Sequence, residues 1–156
     1  MGDFFILPNQ MLEIAILSSS LLIAQTQNPP AKFLNLKNQL ENYGFEVRIE
    51  LPPKRGAYGL LKVAEKTIWI NPVVFDLQFA TPTLVHESVH AAQLCAGKGK
   101  MKILGLKIKP TIATRRLFLR YKNIHRQDLE MEAYTVQTQP NSFELATNLL
   151  KKYCKK

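Results

Sequence analysis

The sequence predicts one α+β domain, in which a small antiparallel or mixed sheet packs on a helix carrying a His-Glu-x-x-His pattern and on further C-terminal helices. Three observations predict it. The chain has 156 residues, 46% hydrophobic and 21% charged, enough for one domain with a real core and too few for two. Alternating apolar and polar residues cluster between 45 and 70. Beyond residue 80, apolar residues recur instead at helical spacing. The composition excludes a disordered tail, and the lack of an internal period excludes a solenoid or propeller. Two cysteines, Cys95 and Cys154, are too few for a disulfide-stapled scaffold and leave one bridge open.

Residues 1–30 form an apolar segment and linker, and residues 31–156 the domain proper. The run 11–24 (MLEIAILSSSLLIA) is as apolar as the core of a signal peptide. It is shorter than the ~20 residues of a spanning helix and carries Glu13. The first Lys or Arg is Lys32, whereas a signal peptide has basic residues ahead of its apolar run. A packed N-terminal helix and a cytoplasmic chain are therefore expected. The competing expectation, a targeting or membrane-touching segment, rests on Ala24 and the polar stretch 25–30 that follows.

Beyond Pro29-Pro30, Phe33, Leu36, Leu40 and Tyr43 predict a helix over 31–43, ended by Gly44. Phe45, Val47, Ile49 and Leu51 alternate with charged residues, the period of a half-buried strand. Residues 52–56 are loop by composition, and 60–63 and 67–70 predict two strands joined by the polar turn 64–66. Thr81-Pro82 predicts an N-cap and first helical position for a helix running to Ala96 and closed by Gly97. Residues 106–109 predict a short strand stopped by Pro110. Residues 111–124 predict an amphipathic helix with Ile112, Ala113, Leu117, Leu119 and Ile124 inward. A helix follows over 127–139, with Leu129, Ala133 and Val136 as its buried stripe. The last helix, 142–153, has Asn141 and Glu144 at capping-box spacing and Phe143, Ala146 and Leu150 inward.

Within the 81–96 helix lies His86-Glu87-Ser88-Val89-His90. Histidines four apart project from one helical face and can share a metal ion. Glu87, one position on, can reach a water on that metal. Val85, Val89 and Ala92 cover the opposite side, so a ligand face is separated from a packing face. Two of the chain's three histidines fall in these five residues. A third ligand has to come from a separate element downstream, and Glu130, Glu132 and His125 are the candidates. Glu130 and Glu132 lie about 200° apart around a helix, so at most one faces the metal. The small Ala133 on the Glu130 side permits close helix approach.

The pattern resembles that of the zincin metallopeptidases, and His86-Glu87-Ser88-Val89-His90 matches their shared motif. Glu130-Met131-Glu132-Ala133-Tyr134 is similar to the downstream E-x-x-A-D pattern of the glutamate-ligand branch, the gluzincins, as in thermolysin-related and CAAX-prenyl-endopeptidase-type enzymes. The resemblance covers about 70 residues, 67–139, and is most specific over the first motif. It implies a minimal zincin-like core with Zn²⁺ held by His86, His90 and Glu130, and Glu87 as general base. It implies hydrolysis of a peptide or protein substrate by a zinc-activated water. It also implies that the 67–70 strand is the sheet edge that binds an extended peptide. Tyr134 departs from the family's Asp, which leaves the orientation of a zinc-binding histidine to another group. His125, Tyr121 and Tyr134 are candidate donors to the oxyanion.

The net charge is +9, and residues 98–126 hold ten Lys or Arg and no acidic residue. That segment suits an anionic surface or acidic partner. Nucleic acid is disfavoured, because zinc-finger spacing, an aromatic-interleaved basic strand and a helix-turn-helix pattern are all missing. Cys95 reads as a small buried residue behind the metal helix. Three other readings stand beside the peptidase: a zinc-bearing binding module without catalysis, a basic membrane- or nucleic-acid-surface binder with an accidental motif, and a metal-dependent hydrolase of another substrate.

Overall fold

The computed structural model describes residues 28–118 and 126–155. The 11–24 segment, Leu119, Arg120, Tyr121, Lys122, Ile124 and His125 lie outside them. Among the described residues the protein is α+β, with six helices and a three-stranded mixed sheet. Helix α1 (Ala31–Asn42) precedes strands β1 (Glu46–Ile49), β2 (Gly59–Lys62) and β3 (Thr67–Ile70). The short α2 (Val73–Asp76) and the long α3 (Ala80–Ala96) follow, then α4 (Ile112–Phe118), α5 (Gln127–Gln137) and α6 (Ser142–Tyr153).

Helix α3 is the hub and packs on α1, α5, α6 and the sheet. Residues 83–94 of it are buried apart from His86, which is why its hydrophobicity runs almost all round. Phe33, Leu36 and Leu40 of α1 close the core from one side, and Ala146 and Leu150 of α6 from another. Ala133 and Val136 of α5 are fully buried, while Leu129 is half-buried.

Strand order differs from the expected one. The sheet runs β1-β3-β2, with β1 parallel and β2 antiparallel to β3. The tight turn at Lys66 (φ 50°) pairs β2 with one side of β3, and β1 takes the other. Residues 67–70 therefore form the central strand and offer no free edge; β2 does. Asn71 N–H donates to Tyr58 O at 2.8 Å. In an antiparallel ladder this parity turns Leu60 and Lys62 toward β3, and the main-chain groups of Gly59 and Leu61 toward the free edge. At the other side, the 45–51 alternation outruns its four-residue strand, leaving Ile49 37% and Leu51 73% exposed.

Four local expectations are corrected. Helix α3 starts at Ala80 with Phe79 as N-cap, so Thr81-Pro82 sit two residues deeper. Pro82 remains in the first turn, where a missing N–H leaves no bond unmade. Residues 106–109 form no strand, because Leu104, Gly105 and Leu106 give their N–H groups to the Glu132 carboxylate (2.8, 2.6 and 3.1 Å). In α4, Ile112 (72% exposed) and Ala113 point outward while Thr114 is buried. The Thr111 and Thr114 hydroxyls bond Thr138 Oγ1 at 2.9 and 2.6 Å, so hydroxyls rather than aliphatic side chains dock this helix on α5. Asn141 occupies the N-cap of α6 without a side-chain cap bond, and Glu144 pairs with Lys32 at 3.6 Å instead.

Cys95 and Cys154 form a disulfide that ties the end of α3 to the residue after α6, across a sequence separation of 59. No helix among the described residues is long and apolar enough to cross a membrane. A loop of this size contributes roughly 4 kcal/mol in the chain-entropy account. Thiol titration of the unfolded, unreduced chain should find no free thiol, and reduction should lower the urea midpoint by a matching amount. Two titratable thiols and an unmoved midpoint would contradict the bridge.

Candidate metal centre

Two helices build the site. Along α3, His86 and His90 are one turn apart with ring centroids separated by 4.8 Å. The adjacent α5 brings Glu130 against both. His86 Nε2 lies 3.2 Å from Glu130 Oε2, His90 Nε2 lies 3.5 Å from Glu130 Oε1, and the two Nε2 atoms are 3.1 Å apart. All three side chains are nearly buried.

The outer nitrogens decide the tautomers. His90 Nδ1 is 2.8 Å from Gln93 Oε1, and His86 Nδ1 is 3.1 Å from Gln137 Oε1. An amide oxygen only accepts, so each Nδ1 carries the proton and each neutral Nε2 presents a lone pair. Two lone pairs and a carboxylate then face one another at 3.1–3.5 Å. One proton satisfies a single pair among them, whereas a cation at their centre satisfies all three. Ligand bonds of about 2.0–2.1 Å in tetrahedral geometry place ligand atoms ~3.3 Å apart, which is the spacing found. The cluster His86, His90 and Glu130 can therefore hold a metal ion.

The two other sequence candidates fare differently. Glu132 is as buried as Glu130 (9% exposed each) but faces the opposite way. Its carboxylate is taken up by the three N–H groups of residues 104–106 and by Gln93 Nε2 at 3.0 Å. His125 and Tyr121 fall outside the described residues. Tyr134, at the position where the resembling family carries Asp, lays its ring 4.6 Å from that of His86. Gln137, one turn further along α5, receives the His86 Nδ1 proton instead.

Glu87 is 5% exposed and lines one cavity with His90 and Glu130. Gly59 on β2 makes room for it, since a Cβ there would lie 2.5 Å from Glu87 Oε1 and 2.9 Å from Cγ. Leu61 N–H, on the free edge of β2, donates to the Glu87 carboxylate. Burial pushes that carboxyl above its ordinary value, outweighing the pull of His86 and His90. For Glu130, burial acts upward too, but His86 and His90, which donate to it when Nε2 takes up a proton, win and hold it well below the usual carboxylate range. Burial pulls His90 down, yet Glu130 beside it, with Glu87, leaves the imidazole raised.

The triad sits between two cavities. A small one, about 70 Å³, reaches Leu61, Glu87 and Met101. A wider cleft of about 500 Å³ is walled by Tyr58, Phe79, Thr83 and Tyr134. Arg126 borders both. Gln93, Gln137, Gly59 and Arg126 all escaped the sequence reading. The only available signals were positional: Gln93 follows His90 by three residues and Gln137 follows Glu130 by seven, the same helical faces.

Two outcomes follow from this geometry. Gln137→Leu and Gln93→Leu should each weaken Zn²⁺ binding by about 10–100-fold without unfolding the chain, read by competition with a chromophoric chelator. Zinc uptake should also release a proton from the raised His90, and affinity should fall as pH drops through that group's titration. Calorimetry in two buffers of different ionisation enthalpy measures the release; identical heats at a pH below the titration would contradict it.

No curated protein and no solved structure matches the chain. Residues 58–155 match the DUF8637 family, described as a domain of unknown function. That span is more than half of the chain and contains every residue of the cluster, so the protein belongs to the DUF8637 family.

Proposed function

We propose that the protein is a zinc-dependent metallopeptidase with a minimal gluzincin-like core. The observation that carries this reading is the convergence of His86, His90 and Glu130 at tetrahedral spacing beside a buried Glu87. Two neutral imidazoles and one carboxylate suit Zn²⁺ and leave a fourth position open, and they lower its charge to near +1. Zinc in such a site supplies Lewis acidity and brings the pKa of a water toward ~7.

The chain's own groups do the rest. Glu87, ionised, takes the proton of the attacking water at its carboxylate and delivers it to the leaving amine nitrogen. Its raised affinity for protons suits a group that must both accept and donate one. Gln93 and Gln137 hold the histidines with Nε2 inward. The free edge of β2, with the main-chain groups of Gly59 and the carbonyl of Leu61, offers an extended peptide a strand to pair with. The wide cleft with its Tyr58 and Phe79 wall then receives a substrate side chain. The Cys95–Cys154 bridge favours an oxidising compartment over the cytoplasm as the site of action.

Glu87→Gln keeps the shape of the side chain and removes the base. Against a mixed peptide library, with cleavage read by mass spectrometry, it should lose about 10²–10⁴-fold in turnover and keep its zinc. Normal turnover by this variant would sink the peptidase mechanism. Gly59→Ala should displace the Glu87 carboxylate and lower kcat, again with zinc retained; unchanged kcat would mean that Glu87 does not act from the observed position.

A further inference from the structure

We propose that the chain docks on anionic lipid membranes through the outward face of residues 103–116, an inference independent of the peptidase reading. The segment is built in two layers. Leu104, Leu106 and Ile108 pack against the core, and Glu132 clamps the main chain at 104–106. Ile103, Lys107 and Lys109 alternate with them and are turned to solvent. The surface continues onto α4, where buried Thr114 anchors the helix and Ile112, Arg115 and Arg116 are exposed.

None of these four cations has a carboxylate within ion-pair distance among the described residues. Their field is therefore uncompensated and attracts a polyanionic surface. The two isoleucines select the kind of surface. Ile103 is 47% and Ile112 72% exposed, set among the positive charges. Aliphatic side chains at those positions gain by entering the headgroup–acyl boundary while Lys and Arg meet lipid phosphates. Nucleic acid gives them nothing, and the patch presents no exposed aromatic among the described residues for bases to stack on. Because Glu132 holds the main chain from beneath, the surface is a fixed face of the domain.

Co-flotation of the full chain with phosphatidylcholine vesicles, with and without phosphatidylglycerol, tests this. The protein should bind only the mixed vesicles, and less as salt rises. Reversing Lys107, Lys109, Arg115 and Arg116 to Glu should lower partitioning by on the order of 100-fold or more. Ile112→Ser should lower it by about tenfold at unchanged charge. Lys107→Gln/Lys109→Gln serves, with a smaller loss, if the reversed variant misfolds by circular dichroism. Wild-type binding by a folded charge variant or by Ile112→Ser overturns the proposal. So does retention of duplex DNA in a shift assay by a chain that ignores the mixed vesicles.

Discussion

The contact of α5 with α3 sets the terms for the rest of this molecule, because it places a carboxylate against two imidazole lone pairs, all three side chains nearly buried. Atoms of this kind at 3.1–3.5 Å repel unless positive charge lies among them. Buried Ala133 lets the helices come this close, and the burial of α3 on its other faces leaves it no room to retreat. The disulfide and the α6 packing hold the far end of α3 in place. Fold stability and metal affinity thus share one helix pair.

From that pair a continuous chain of hydrogen bonds runs outward. His90 donates to Gln93, Gln93 donates to Glu132, and Glu132 accepts from the main chain at Leu104, Gly105 and Leu106. Each link satisfies a polar group that burial would otherwise leave costly. The same chain explains why two carboxylates two residues apart have separate tasks. Glu130 faces the histidines, and Glu132 replaces the neighbouring strand that the 104–106 segment lacks. The irregular basic segment is thereby fixed to the side chains that orient His90.

How much of this was legible in the sequence varies with the range of the interaction. The histidine pair was readable because a spacing of four is a property of one helix, and His86 and His90 do share a face. Glu130 and Glu132 were separable only as opposite sides of α5; which side meets the histidines depends on tertiary packing. The place of 67–70 in the middle of the sheet was not legible, since strand order is set by pairing between distant segments. Residues 106–109 read as a strand because Leu106 and Ile108 do alternate with lysines, but a carboxylate took the main-chain donors. Ile112 misled because the helix docks through the hydroxyls of Thr111 and Thr114. Gln93 and Gln137 carry no distinguishing signal, as glutamine on a helix usually meets solvent.

The central claim is that His86, His90 and Glu130 form one metal site, and elemental mass spectrometry of the purified chain measures it most directly. One zinc per chain is expected, lost in both His86→Ala and Glu130→Ala while the fold persists. A wild-type chain that holds no metal even after refolding with zinc would contradict it, as would full zinc occupancy in Glu130→Ala.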